Sequence, residues 1–363
     1  MYATFMTNTS PESTKRDPVA RTSTTALRRG WTTGSCATAA AKSAVHALIH
    51  GEFLDPVEIT LPQGQTVSFT LSTETLTEQA ATASVIKDAG DDQDITHGAS
   101  IVVTVQAIDA HAITFHAGPG VGTVTRPGLP IDVGEPSITP TPRDMITSAI
   151  RQVAPTGGFA VTVSIPGGEE MALETMNPRL GVLGGLSILG TTGVVVPYSC
   201  ASWIHSIHRG IDVARAAGIT HVIGSTGATS EKLAQRRFGA TEQALLDMGD
   251  FAGGLLKYIR AHPVPRLTLA GGIGKMAKLA QGEMDLHSAR SSVDVGFLAQ
   301  LAGNDAINQA ESAAQALLID PNLGLLVAKV AAQEAQKVAG DAVSVDTLVV
   351  TRQGDVVGAW EPS

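Results

Sequence analysis

The pattern of apolar and polar positions divides the chain near residue 180. In the first part, strong helix formers behind a Thr or Ser cap predict a helix over Thr33–His50, which Gly51 ends. Val57–Leu61 and Thr66–Leu71 alternate as in a β-hairpin. This mixture predicts an α+β domain over residues 25–180. Its other predicted elements are strands at Ala83–Lys87, Ile101–Ala107 and Ile113–His116, and a helix at Asp144–Val153.

From about residue 186, short apolar runs alternate with helical patterns. Parallel neighbours need a long return path, so this order predicts a mostly parallel sheet with helices between its strands. The predicted fold class is therefore α/β, with a Rossmann-like second domain over residues 181–363. Its predicted strands are Leu186–Leu189, His221–Ile223, Gln243–Leu246, Arg266–Ala270 and Thr347–Thr351. Its predicted helices are Ala201–Ala217, Ser230–Phe238, Phe251–Ala261, one from near Gly274, Ala313–Leu318 and Gly324–Val338.

Composition narrows the classes of partner. Residues 1–24 are rich in Ser, Thr, Pro and charge without an apolar period, which predicts a disordered tail. The net charge is −9 and residues 1–30 carry +3, so the remainder carries about −12, which argues against nucleic acid. We find no signal-peptide pattern and no run of roughly 18 apolar residues that could span a membrane. We therefore expect a cytoplasmic protein with no membrane partner.

Four turns containing glycine follow the predicted strands of the second part. Carboxyl ends of parallel strands meet at one edge of a sheet, where glycine lets a ligand approach the backbone. The series therefore predicts a ligand-binding edge. The turns are Gly190-Thr191-Thr192-Gly193, Gly224-Ser225-Thr226-Gly227, Met248-Gly249-Asp250 and Gly271-Gly272-Ile273-Gly274-Lys275. The cofactor candidates in the first two are Gly190, Thr191, Thr192, Gly193, Gly224, Thr226 and Gly227, and the sequence leaves open which turn is used.

Two acidic residues follow the second of these turns. Asp247 lies 20 residues beyond Gly227, where dinucleotide-binding folds place the acid that holds ribose hydroxyls. Asp250, close behind it, is also a candidate cofactor ligand. The alternative interpretation is that Asp250 caps the helix over Phe251–Ala261. Both interpretations remain open from sequence.

An acidic cluster in the first part invites a metal-site interpretation. Residues 87–94 hold several carboxylates, followed by Thr96 and His97. The spacing and closing glutamate of an EF-hand are absent, so a solvated acidic loop is favoured and no metal site is predicted. The only cysteines, Cys36 and Cys200, form no CxxC pair, which disfavours a disulfide scaffold or a Cys-rich zinc site.

Several segments together resemble the cobalt-precorrin-5B C(1)-methyltransferase family of anaerobic cobalamin synthesis. They occur in the family's order from about residue 27 to about residue 300. Trp31, Tyr198 and Leu286 depart from the expected Tyr, Met and Thr. The matching segments are 27–42 (LRRGWTTGSCATAAAK), 87–92 (KDAGDD), 134–136 (GEP), 142–143 (PR), 177–181 (NPRLG), 184–193 (GGLSILGTTG), 248–251 (MGDF), 274–275 (GK), 278–280 (KLA) and 287–288 (HS).

The resemblance implies methyl transfer from S-adenosylmethionine to C-1 of a cobalt corrinoid precursor. Cobalt would arrive within the substrate, so no protein metal ligand is needed. The implied partner is this small molecule, and both a homo-oligomer and substrate hand-over from neighbouring pathway enzymes are compatible with it. Asp88, Asp91 and His287 are the candidates for proton management or orientation. The candidate cations for substrate carboxylates are Lys87, Arg143, Arg179, Lys275, Lys278 and Arg290.

Two other functions fit parts of the pattern. A nicotinamide-dependent oxidoreductase could use the same glycine turns and Asp247. A non-catalytic corrinoid carrier would bind the pigment without changing its mass. The family segments favour the methyltransferase over both.

Overall fold

The computed structural model describes residues 27–362, so the predicted tail over residues 1–24 lies outside it. The helices are α1 Thr33–His50, α2 Pro140–Val153, α3 Gly168–Leu173, α4 Cys200–Ala216, α5 Ala228–Phe238, α6 Ala252–Ala261, α7 Ile273–Ala280, α8 Val295–Ala302, α9 Ala313–Ile319 and α10 Leu323–Ala339. The strands of the first part are β1 Gly30–Trp31, β2 Val57–Thr60, β3 Thr66–Phe69, β4 Thr73–Leu76, β5 Ala80–Ile86, β6 Ser100–Ile108, β7 Ile113–Ala117, β8 Gly120–Val121, β9 Thr123–Val124 and β10 Gly158–Ser164. Those that follow are β11 Val182–Leu183, β12 Gly185–Leu186, β13 Val194–Val195, β14 His221–Ser225, β15 Leu245–Asp247, β16 Arg266–Gly272, β17 Ser344–Val350 and β18 Val356–Trp360.

The N-terminal part is built on a mixed sheet in the order β4-β5-β6-β10-β7. All neighbours are antiparallel except β10 and β7. Helix α1 packs on this sheet through an almost wholly buried, Ala-rich surface. Thr32 caps its start by accepting from Ser35 N, and Gly51 ends it with φ 83°, which a residue with a Cβ rarely adopts. The predicted helix and hairpin are confirmed.

The C-terminal part contains a five-stranded sheet in the order β15-β14-β16-β17-β18. The first four strands are parallel and β18 is antiparallel to β17. Helix α5 covers one face, where Ile223, Leu233 and Ala270 pack together. Helices α4, α6, α7 and α10 cover the other face with a larger core. The predicted mixed α/β fold with a mostly parallel second sheet is confirmed.

One predicted strand is wrong. Leu186–Leu189 does not begin the parallel sheet, because β12 pairs with β8 and lies outside it. Gly184 and Gly190 have φ of 81° and 130°, so the backbone turns on either side of this segment. The neighbouring strands β11 and β13 likewise pair with β9 and β1. Strands β4, β10 and β18 were not predicted from the sequence.

No helix within residues 27–362 is both long and apolar enough to cross a membrane.

Candidate functional site

Three of the four predicted glycine turns meet at the carboxyl edge of the C-terminal sheet, the side where β14, β15 and β16 end. Backbone hydrogen bonds connect them: Thr226 N donates to Ala270 O at 2.9 Å, and Met248 N donates to Ser225 O at 3.0 Å. A Cβ on Gly227 or Gly274 would meet no atom within 4 Å. A ligand can therefore approach the backbone at this edge.

The turn over Gly190–Gly193 lies elsewhere, which corrects the expectation that all four turns share one edge. Gly193 O accepts from Thr32 N at 3.1 Å and from Ser35 Oγ at 2.7 Å. A Cβ on Gly190 would lie 2.7 Å from Thr32. Thr191 is exposed and Thr192 bonds to the Val194 backbone. This turn is packed against the start of α1.

Asp247 ends β15 beside an ion pair. The guanidinium of Arg179 donates to both carboxylate oxygens of Glu231, at 2.8 and 2.9 Å. Burial, followed by repulsion from Glu231, raises the pKa of Asp247, and Arg179 opposes that rise. The carbonyl of Asp247 accepts from Trp203 Nε1 at 2.9 Å.

Lys275, Lys278 and Asp250 form a second group at this edge. Asp250 pairs with Lys275, and α6 begins without a side-chain cap, so the capping interpretation of Asp250 is wrong. Both ammonium groups donate to the carbonyl of Leu286 at 3.0 Å. Lys278 is only 6% exposed. The two cations therefore share one backbone carbonyl, and only Lys275 also contacts a carboxylate.

The loop over residues 285–291 connects this edge to the start of α4. Arg290 pairs with Asp285 at 2.5 Å and donates to Cys200 Sγ at 3.5 Å. His287 is exposed, and its Nδ1 accepts from Ala289 N at 3.1 Å. The imidazole Nε2 of His287 is left to face solvent or a ligand.

Large apolar side chains stand exposed beside this loop. Tyr198 is 62% and Trp203 45% exposed, and Trp203 lies against Gly249 of the third turn. Tyr198 has φ 55°, a rare conformation for a residue other than glycine, and its N–H donates to Asp92 Oδ1 at 2.8 Å. The start of α4 thus connects the sheet edge with the first part of the chain.

The acidic turn, defined as residues 87–97, has its charges paired partly within the turn and partly with Arg28. Asp88 forms a bidentate ion pair with Arg28, one bond measuring 2.9 Å, and Asp91 accepts from Arg28 N at 2.6 Å. The hydrogen bonds from Arg28 and from Gly90 N lower the pKa of Asp88 to about 2. Lys87 is 1% exposed and pairs with Asp94 at 2.6 Å.

Arg143 lies apart from both groups. It pairs with Glu135, donates to the Pro136 and Ile138 carbonyls, and lies 5.3 Å from the Phe115 ring centroid. Together with β7 it lines an open cavity of about 610 Å³. A second cavity, of about 430 Å³, adjoins Asp88. Neither cavity lies at the carboxyl edge of the C-terminal sheet, where the polar groups and the open glycine backbone are found.

Of the candidates, the structure groups Gly224, Thr226, Gly227, Asp250, Lys275 and Lys278 at the edge, with His287 and Arg290 on the adjoining loop. Trp203 and Ser225 also lie at this edge, although neither was a candidate from the sequence. Trp203 could have been noticed as a rare aromatic one turn into a helix, and Ser225 lies inside a turn already selected. Within residues 27–362, no three His, Cys, Asp or Glu side chains are placed to hold a metal ion.

Polar groups gathered at the carboxyl edge of a parallel sheet are typical of α/β proteins that bind ligands there. Comparisons with known proteins narrow this class. The CbiD family model matches residues 20–197. A cobalt-precorrin-5B C(1)-methyltransferase of Paramagnetospirillum magneticum is 53% identical over 349 residues, covering 92% of this chain and 98% of the relative. One of Brucella anthropi is 53% identical over 349 residues, covering 91% and 95%.

The chain belongs to the CbiD family, whose curated members carry the name cobalt-precorrin-5B C(1)-methyltransferase. A crystal structure of a cobalamin biosynthesis protein (cbiD) from Archaeoglobus fulgidus is 24% identical, with a TM-score of 0.37, and covers 77% of this chain and 82% of that one.

Proposed function

We propose that this protein transfers a methyl group from S-adenosylmethionine to C-1 of cobalt-precorrin-5B, giving cobalt-precorrin-6A. The observation that carries the proposal is the 53% identity to enzymes of that name over nearly the whole chain. The open, polar sheet edge is consistent with it, since the reaction needs a nucleoside site beside a large hydrophobic surface.

We assign the co-substrate to the turn over Gly224–Gly227. The strand order β15-β14-β16-β17 corresponds to that of doubly wound, Rossmann-like folds, which bind ligands where the order reverses, here between β14 and β16. The residues fit a polar nucleoside, because Gly227 borders open space and the Ser225 hydroxyl is buried without a partner. The packed turn over Gly190–Gly193 fits less well.

We assign the corrinoid to the surface around the start of α4. A flat macrocycle offers a large apolar face, which the exposed rings of Tyr198 and Trp203 can cover. Its rim carries carboxylates, and Arg290 stands exposed on the adjacent loop. His287 is exposed on the same loop, where it can orient the substrate. The buried Lys87 and the distant Arg143 contribute less to this arrangement.

S-adenosylmethionine supplies an electrophilic methyl group on its sulfonium. The chain's own residues therefore act by alignment, and holding two reactants in order can contribute several kcal/mol without a covalent intermediate. Lys275 and Lys278 offset the repulsion between an acidic protein and an acidic substrate. Asp88 and Asp91 hold the Arg28 segment in place, and His287 remains a candidate for orientation or proton management.

The test is incubation of the purified protein with S-adenosylmethionine and enzymatically prepared cobalt-precorrin-5B, followed by mass spectrometry. A product one methyl heavier, with the isotope label located at C-1 by carbon NMR, is expected. A reaction without S-adenosylmethionine is the control. Bound pigment of unchanged mass, with a verified substrate, would contradict the proposal and indicate a carrier.

A further inference from the structure

Ser225 and Asp247 occupy equivalent positions at the ends of neighbouring strands. They are register partners in the parallel pairing of β14 with β15, so their side chains leave the same face of the sheet. That face is the one beneath α5, because Leu245, two residues before Asp247, packs with Leu233 of α5. A Cβ on the preceding Gly224 would instead meet Leu255 on the opposite face.

The hydroxyl of Ser225 lacks a hydrogen-bond partner. The residue is 1% exposed, and its Oγ is one of two buried side-chain polar atoms without a partner among residues 27–362. A buried hydroxyl left unpaired costs free energy, about 1–3 kcal/mol. Such groups in native proteins call for an explanation, and a missing ligand is one.

The carboxylate of Asp247 is also available. Within the part of the chain that the structure describes, its surroundings include Glu231 and Arg179, which are engaged with each other, and no donor bonds to it. Next to the pair, Gly227 is the N-cap of α5; it provides no side-chain cap and borders open space. A ligand bound at Gly227 would lie beside the strand ends that carry the hydroxyl and the carboxylate.

We propose that Ser225 and Asp247 form a two-point site for the ribose diol of the co-substrate, Asp247 accepting from the sugar hydroxyls and the Ser225 hydroxyl completing the contact. The inference rests on the proposed function and deepens it. Vicinal hydroxyls suit this pair because a carboxylate accepts two hydrogen bonds while a serine hydroxyl can donate or accept one. Ser225 would then gain the partner that it lacks.

The test is calorimetric titration with S-adenosylhomocysteine, which has the same adenosine and no transferable methyl. For Asp247→Asn we expect affinity to fall about 10- to 100-fold, and for Ser225→Ala a few-fold, since hydrogen bonds to a charged group are the stronger. Asp341→Asn, an exposed carboxylate in the turn before β17, is the matched control and should bind as the unaltered protein does. The 2′,3′-dideoxy analogue should bind equally to all of these proteins.

A thermal melt separates ligand binding from a structural role. Removing an unpaired buried hydroxyl should leave the Tm of the free Ser225→Ala protein unchanged or raise it, while the shift produced by S-adenosylhomocysteine becomes smaller. Unaltered affinity in Asp247→Asn, or equal losses for the ribose and dideoxy ligands, would overturn this inference alone. Failure of the unaltered protein to bind S-adenosylhomocysteine would overturn the proposed function together with it.

Discussion

The acidic turn and the carboxyl edge of the C-terminal sheet each bury polar side chains, and those buried side chains differ in their partners. In the turn, buried Lys87 meets Asp94 and Asp88 meets Arg28. At the edge, buried Lys278 donates only to a backbone carbonyl and Ser225 Oγ has no partner among the described residues. Both regions contain segments that resemble the family, yet the buried polar groups of the turn have charged partners and those of the edge do not.

Buried polar side chains can serve either stability or ligand binding, depending on whether they have a partner within the protein. A charge paired within the protein fixes the backbone around it, and removing one partner is costly because the other stays buried. A polar group left short of partners is costly in the free protein, and a ligand can recover that cost. We therefore expect the acidic turn to govern stability and the sheet edge to govern binding.

The largest effect is expected for Lys87→Met, which tests whether the acidic turn governs stability. Asp94 would lose its cation, and we expect the free energy of unfolding to fall by about 3 kcal/mol, as for other broken buried ion pairs. Urea denaturation measures this. The double variant Lys87→Met, Asp94→Leu should recover part of the loss. A single variant as stable as the unaltered protein would show that the turn is not held by this pair.

The same substitution at the edge, Lys278→Met, should give the opposite result. Lys278 has a carbonyl rather than a carboxylate as its partner, so no buried anion is abandoned. We expect the free energy of unfolding to change by less than about 1 kcal/mol, and corrinoid affinity to fall about tenfold for one lost charged contact. Absorbance titration measures the affinity. Weakened stability with unchanged affinity would reverse the roles of the two regions.

Trp203→Ala tests the apolar side of the edge. The ring is 45% exposed and its Nε1 donates to the Asp247 carbonyl, so its removal should lower the Tm modestly, whereas losing a stacked aromatic surface should raise KM for the corrinoid about five- to tenfold. Steady-state kinetics measure KM, and a thermal melt measures the Tm. Trp203→Phe is the control and should keep most of the affinity, and an unchanged KM in the alanine variant would place the corrinoid elsewhere.

The smallest expected effect is the pH dependence of the stability that Asp88 contributes. Its folded pKa of about 2 lies below the ordinary value of 3.8, because of Arg28 first and Gly90 N second. The stabilisation is therefore complete above about pH 4 and disappears as the pH falls towards 2. Because Asp88 is 45% exposed, solvent screening limits it to less than about 1 kcal/mol.

Comparing Asp88→Asn with the unaltered protein in urea at pH 7 and at pH 2 checks this. The gap in unfolding free energy should be present at pH 7 and much smaller at pH 2, where about half of the folded carboxylate is protonated. A gap that is undiminished at pH 2 would mean that the carboxylate stabilises the turn in some other way.

Local signals predicted much of the fold and only part of the site. Thr32 and Gly51 mark the ends of α1. After residue 218, the predicted alternation of strands and helices agrees with the order of elements in the structure. The Gly190–Gly193 turn was misplaced because a glycine turn has the same letters whether it ends a parallel strand or packs on another segment. Lys87 and Lys278 were equivalent candidates for the same reason, since sequence does not show which carboxylate lies opposite.

The pairing of β11, β12 and β13 with β9, β8 and β1 has a consequence for synthesis on the ribosome. The first part of the chain does not finish its hydrogen bonding at residue 180 but only after Val195 has emerged. Until then β1, β8 and β9 expose unpaired edges, which are the surfaces that aggregate. A nascent chain that stalls before Val195 would therefore depend on chaperones more than one that stalls just beyond it.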